Sequence, residues 1–302
     1  MPGKDAEFLA ELYRSWNRRI NANPEMDIDT QRDVFEEWHL PTREPTGVTY
    51  DEVTAGGVPA IRCLPVDADT GRVLLFLHGG GGVVGSAHTH RKLAAHIAKA
   101  TGATALVLDY RLGPESPFPA QVEDAVAAYR GLLEQGYAPN RIATVGDSAG
   151  GAFAISTVVS LREQGVQLPA AIVSMSPYTD MELSGDAMVD NAETEALVDR
   201  PLMENMVLAL LVGQTEVTDP LANLLYADLS GLPPIFITAG ELEMLRDDGT
   251  RLAELAGEAG VDVTFEIGKE MQHVYQFLAG RAVEGDEAVE RIGAWLGPRL
   301  GP

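Results

Sequence analysis

Six residues, Gly146-Asp147-Ser148-Ala149-Gly150-Gly151, follow the short run Arg141-Ile142-Ala143-Thr144-Val145 and precede an alanine-rich segment. A serine flanked at two residues on either side by glycine occurs often by chance. Between a strand and a helix the same spacing has a mechanical reason: a sharp turn crowds its neighbours, holds Ser148 in a strained backbone conformation and lifts the hydroxyl into the open. The helix that begins after Ser148 also directs its free amides and positive dipole end at any oxyanion formed there.

A second glycine cluster lies upstream. Leu74-Leu75-Phe76-Leu77 reads as an apolar strand ending in His78-Gly79-Gly80-Gly81-Gly82, the spacing in which backbone amides approach a substrate oxygen. The N–H groups of Gly80, Gly81 and Ala149 are the predicted oxyanion donors. His78, at a strand end, is read as pinning this loop rather than as a reacting group. His88 and His90 diverge at a helix start, and with one cysteine and no HExxH pattern no metal site is expected.

A serine hydroxyl needs a general base, and the base needs a carboxylate that orients its ring. Only His273, in Glu270-Met271-Gln272-His273-Val274, lies beyond Ser148. For the acid, the segment after the strand at 235–238 offers Glu241, Glu243, Asp247 and Asp248. Asp247 and Asp248 equally suit the first turn of the next helix, where they complement its dipole. Asp147 reads as an anchor of the nucleophile turn, and Asp109 and Asp124 as loop and helix-start residues.

The elements that must position these groups follow from periodicity. Residues 48–53 and 58–64 are strand-like and joined at Gly56-Gly57, as in a hairpin. Apolar runs at 73–77, 103–108, 142–145, 170–175, 235–238 and 261–267 alternate with helical patterns at 91–99, 121–135, 150–164 and 247–259. Such alternation predicts βαβ units and a largely parallel sheet. Residues 5–20 form an amphipathic helix, with Phe8, Leu12 and Trp16 on one face. A Pro-rich, acidic stretch at 23–45 follows it. The interval 176–232 is too long for one crossover and holds its own helical pattern at 200–212.

Taken together, these residues resemble the hormone-sensitive-lipase-like family of carboxylesterases within the α/β hydrolases. The resemblance covers most of the chain after about Val48. It rests on the glycines at 78–82, Gly85-Ser86, residues 109–115 and 117–120, the turn at 146–151, residues 176–180, Asp219-Pro220 and residues 232–234. It implies an α/β-hydrolase fold, with a mostly parallel eight-stranded sheet flanked by helices. It also implies a helical cap from the N-terminus and an insertion (1–45 and 177–232) over a catalytic domain (46–176 and 233–302). The family places its acid three residues past the glycine that ends the strand, which here selects Glu243. The implied activity is ester hydrolysis through an acyl-enzyme, without a cofactor. Where the family usually has an aromatic residue after the oxyanion glycines, this chain has Gly82; Gly113 and Ser116 are further variants. Gly82, Trp16, Leu202 and Met206 are the predicted substrate-facing residues.

Composition limits the alternatives. A formal net charge of −23 repels phosphate backbones and anionic lipid, so neither nucleic acid nor membrane is an expected partner; the charge is read first as solubility. No apolar run approaches the roughly 20 residues that span a bilayer, and the N-terminal residues lack a secretory pattern, so a cytoplasmic location is expected. The single cysteine, Cys63, sits in an alternating strand-like stretch and forms no intrachain disulfide. The sequence predicts a serine carboxylesterase for compact or short-chain esters, with lactone hydrolysis as the alternative. A non-catalytic ligand receptor and an amidase rank lower, and a homodimer paired through an edge strand is a possible assembly.

Overall fold

The strands of the chain, β1 (Val48–Ala55), β2 (Val58–Pro65), β3 (Asp69–Leu77), β4 (Ala103–Leu108), β5 (Ile142–Asp147), β6 (Ala171–Met175), β7 (Ile235–Gly240) and β8 (Val263–Gly268), form one sheet in the order β1-β2-β4-β3-β5-β6-β7-β8. β1 pairs antiparallel with β2, and β2 antiparallel with β4. All later neighbours are parallel. This computed structural model describes residues 4–23 and 25–301, with the side chains of residues 4–6 left out; the first three residues of the N-terminal stretch read above lie outside the described residues.

The α/β fold expected from alternating strands and helices is the one observed. Every residue of β4, β5, β6 and β7 is buried, as parallel strands covered on both faces require. The helices are α1 (Lys4–Asn21), α2 (Ile28–Phe35), α3 (Ala87–Thr101), α4 (Ala120–Glu134), α5 (Ala149–Glu163), α6 (Ala187–Asp190), α7 (Arg200–Leu211), α8 (Arg246–Glu258) and α9 (Val283–Leu296). α3 starts four residues before the predicted segment because Ser86 and Thr89 form a reciprocal capping box.

Three helices have no counterpart in the sequence predictions: the single turn α6, α2 and α9. α2 falls in the Pro-rich stretch; Asp27 caps it by accepting the Thr30 N–H, and it buries Val34 and Phe35 before a 3-10 turn carries Trp38 inward. α9 buries Ala288, Val289, Ile292 and Leu296, an i, i+1, i+4, i+8 stripe interrupted by Gly285 and Gly293, which weaken the local helical signal. Gly293 is required, since a Cβ there would stand 2.7 Å from the Ala100 carbonyl oxygen.

α1, α2 and the interval 176–232 lie beside the same end of the sheet. The Tyr13 hydroxyl on α1 donates to the His273 carbonyl at 3.1 Å, and the Asn17 amide donates to the Ala196 carbonyl at 2.8 Å. Arg32 on α2 makes two bonds to the Glu115 carboxylate, at 2.8 and 2.7 Å, and one to the Gly113 carbonyl. Among the described residues no helix is long and apolar enough to cross a membrane.

Candidate active site

Because β3, β5, β7 and β8 are parallel, the loops that leave them emerge at one edge of the sheet, where open α/β folds bind ligands. Those loops carry, in turn, the glycines 78–82, Ser148, Glu243 and His273. The topology thereby gathers residues spread over almost 200 positions.

Ser148 follows β5 and caps α5 with φ 52° and ψ −125°, a region that residues other than glycine seldom enter. Its N–H donates to the Met175 carbonyl at 2.8 Å, and its carbonyl accepts from Tyr178 at 3.0 Å. Close approach explains the two flanking glycines. A Cβ on Gly146 would lie 2.2 Å from the Gly150 carbonyl oxygen, and one on Gly150 would lie 2.1 Å from the Leu77 oxygen. Strand, turn and β3 end are therefore packed backbone to backbone, leaving the serine side chain as the group that projects.

The glycine loop at 78–82 is held from behind. His78 stacks on Tyr110 with centroids 4.2 Å apart, its Nδ1 donates to the Gly79 carbonyl at 2.7 Å, and the Tyr110 hydroxyl donates to the His78 carbonyl at 2.6 Å. Burial, then the neighbouring His90, pushes the His78 pKa down to about 4, so this ring is a neutral strut. His90 is buried and accepts the Gly79 N–H at 3.2 Å, whereas His88 is exposed. The two histidines thus stand in different surroundings, one at the surface and one buried. Gly80 takes φ 112° and Gly81 φ 65°.

Of the four candidate acids after β7, Glu241 and Glu243 in the loop and Asp247 and Asp248 in the first turn of α8, Glu243 is the one against His273. Its Oε2 lies 2.8 Å from His273 Nδ1, and its Oε1 accepts the Gly240 N–H at 3.0 Å; the pair is buried. The other three are committed elsewhere. Glu241 accepts from the Glu270 N–H, Asp247 from the Ala187 N–H, and Asp248 from the Thr179 and Asp180 N–H groups. Asp248 is deeply buried, which pushes its pKa up to about 7. The carboxylate on Nδ1 fixes the tautomer that leaves Nε2 able to accept a proton. Burial alone would lower the His273 pKa; the bond and charge of Glu243, followed by Glu195 and Asp147, outweigh it, and the net shift is upward.

Ser148 and His273 line one narrow cavity with Gly80, Gly81, Trp38 and Tyr178, and its outer wall comes from Leu197, Leu202, Met203 and Met206. It measures about 30 Å³, space for about two water molecules. Of the predicted substrate-facing residues, Leu202 and Met206 stand on this wall. Trp16 does not: it is wholly buried behind the wall, its Nε1 donating to Glu37 at 2.9 Å and its ring packed edge-on against Trp38. Gly82 does not either, because it faces Leu210 and Phe153, which a Cβ would meet at 2.8 and 3.0 Å. Trp38 and Phe35 line the cavity instead; their i, i+3 spacing inside the acidic stretch was the available signal.

Residues 74–277 match the family described as the alpha/beta hydrolase fold. An acetyl-hydrolase of Streptomyces hygroscopicus is 41% identical over 293 residues, covering 91% of this chain and 97% of the relative. The carboxylesterase NlhH of Mycobacterium tuberculosis is 40% identical over 246 residues, covering 77% and 75%. Among solved structures, an esterase from the bacterial hormone-sensitive lipase family superposes with a TM-score of 0.94 at 40% identity, covering 100% of both chains.

Proposed function

The chain belongs to the alpha/beta-hydrolase fold family, in its hormone-sensitive-lipase-like branch, and is an ester hydrolase; from that premise we propose that it cleaves compact, short-chain carboxylic esters through a Ser148 acyl-enzyme. The observation that carries the reading is the buried Glu243–His273 pair, joined at 2.8 Å, on the cavity that Ser148 also lines.

In the proposed cycle His273 Nε2 takes the proton from Ser148 as its Oγ attacks the ester carbonyl. The tetrahedral oxyanion is held by the amides of Gly80, Gly81 and Ala149, and loss of one such donor costs about 10²–10³ in turnover. His273 then passes its proton to the departing alkoxide, which leaves as alcohol. Water, deprotonated by His273, attacks the acyl-enzyme, and collapse of the second tetrahedral species releases acid and restores Ser148. Glu243 stays ionised and balances the imidazolium throughout. No step calls for a cofactor.

Residues 1–45 and 177–232 act as a helical cap over the catalytic domain at 46–176 and 233–302. Small free volume and an apolar wall of Trp38, Leu202, Met203 and Met206 favour a short acyl group, and the acetyl-hydrolase relative supports the same size class. The test is a panel of 4-nitrophenyl acetate, butyrate and octanoate with small lactones, run on the wild type and on Ser148→Ala. We expect the highest kcat/KM on the acetate or butyrate and no turnover above background in the variant. Undiminished turnover in Ser148→Ala overturns the mechanism; preference for octanoate overturns the size class.

A further inference from the structure

One carboxylate beside the catalytic pair comes from outside the catalytic loops. Glu195 lies in the insertion between β6 and β7, on a strap of residues 191–196 that runs across the acid and histidine loops. Its Oε1 accepts the N–H groups of Ala196 and Leu197, both at 2.8 Å, and its Oε2 accepts the Met244 N–H at 3.0 Å. Met244 adjoins Glu243. A single side chain therefore ties the strap's own turn to the backbone next to the triad acid.

The rest of the strap is tied to the same two loops by neutral groups. The Asn191 side-chain amide donates to the carbonyls of Glu241 at 3.0 Å and Glu243 at 2.8 Å, and the Thr194 hydroxyl donates to the Leu242 carbonyl at 3.1 Å. On the histidine side, Gln272 accepts the Ala196 N–H at 2.9 Å and donates to the Thr194 carbonyl at 2.8 Å. Glu243 reaches His273 from one of these loops and His273 stands on the other. Their 2.8 Å contact thus depends on the relative placement of two loops that the strap bridges.

We propose that Glu195 is a positioning residue of the esterase site: its ionised carboxylate locks the acid loop against the cap strap and adds a second negative charge to the surroundings of His273. The inference rests on the reading of His273 as general base. The charged and titratable groups facing His273 are Glu243 from the loop after β7, Glu195 from the strap and Asp147 from the end of β5, with the Tyr13 hydroxyl from α1 on its carbonyl. Glu195 itself faces His273, Glu243 and Tyr13. Burial raises the Glu195 pKa above the ordinary carboxylate value, opposed by the neighbouring His273 and by the amide N–H groups it accepts; an acceptor of three amide N–H groups has no use for its own proton, and that geometry is what favours the ionised form. The charge makes the imidazolium easier to form, while the tether holds the geometry in which it forms.

Glu195→Gln keeps the shape, removes the charge and cannot present oxygen to all three amides. Glu195→Asp keeps the charge on a shorter stem, and Asn191→Ala removes a neutral tie alone. The readout is the pH profile of kcat/KM and the plateau kcat on 4-nitrophenyl acetate. Functional sites are counted by the burst with a phosphonylating ester, so that misfolded protein does not enter the rate. Glu195→Gln should move the acid limb down by about 0.5–1 pH unit and lower the plateau kcat about tenfold with KM nearly unchanged. Glu195→Asp should retain the wild-type limb, and Asn191→Ala should lower kcat without moving it. A Glu195→Gln profile that superposes on the wild type, or a limb that moves equally in Asn191→Ala, overturns the proposal. Failure of the underlying reading looks different: the wild type would then lack an acid limb, or Ser148→Ala would stay active.

Discussion

Replacing Glu243 by glutamine tests the acid assignment through a conflict between two hydrogen bonds. The carboxylate now accepts on both oxygens, from the Gly240 N–H at 3.0 Å and from His273 Nδ1 at 2.8 Å. A glutamine can match only one of them in the catalytically useful sense. If its oxygen faces Gly240, its NH2 faces Nδ1; the ring then carries its proton on Nε2 and cannot accept one from Ser148. If the amide is flipped, the correct tautomer survives, but two donors, Gln NH2 and Gly240 N–H, meet in a buried site. An unsatisfied buried donor costs about 1–3 kcal/mol, so the inactive arrangement is favoured by about 5- to 150-fold. Loss of the charge opposite the imidazolium adds to this, for a total loss of about 10³–10⁴ in kcat. The assay is steady-state turnover of 4-nitrophenyl acetate with sites counted by burst, alongside thermal melting. A Glu243→Gln enzyme that retains more than a tenth of wild-type kcat, or an Asp247→Asn enzyme that loses more than Glu243→Gln does, refutes the reasoning.

Three further outcomes follow, two from the His273 environment and one from the nucleophile turn. The folded-state pKa of His273 lies above the ordinary 6.5, and the base must be neutral, so kcat/KM should fall as pH drops through a midpoint above 6.5; a midpoint below that value contradicts the balance of burial and carboxylates described for the ring. By linkage the same raised pKa stabilises the fold below pH 6.5 and that contribution is lost as pH rises through the folded value. Gly150→Ala would place a Cβ 2.1 Å from the Leu77 oxygen and 2.3 Å from the His78 oxygen, with backbone on both sides and no side chain to yield, so unfolding in urea should show a loss of at least about 3 kcal/mol; a change under about 1 kcal/mol contradicts the packing of the turn.

How much of this was legible in the sequence depends on how local each cause is. Ser148 and the glycines 78–82 could be read directly, because the crowding that demands glycine acts between residues a few positions apart and the strands flanking them are strongly apolar. His273 was found by elimination. Glu243 was not separable from Glu241, Asp247 and Asp248 by residue type, since all four are carboxylates and what distinguishes them is which amide each accepts in the folded chain; its selection came from an offset known in a family. Trp16 stands behind the cavity wall, and Trp38, to which the sequence reading gave no part, lines the cavity, for the same kind of reason. Helical spacing shows that Trp16 faces inward but not whether a second layer, α2 and its 3-10 turn, comes between it and the cavity. Glu195 was invisible, indistinguishable by type from Glu193 two residues away, until the strap's partners on the acid loop were known.

The bond from the Tyr13 hydroxyl to the His273 carbonyl joins residues 260 positions apart, and this has a consequence for biosynthesis. During vectorial translation α1 emerges before the loop it rests on. At about 5–20 residues per second, the interval is roughly 13–50 s. Throughout that time the inward face of α1, with Leu9, Tyr13 and Trp16 fully buried in the finished fold, lacks its final platform. Until that loop arrives, the part of this face that rests on it stays uncovered in the nascent chain, which gives a chaperone a surface to hold.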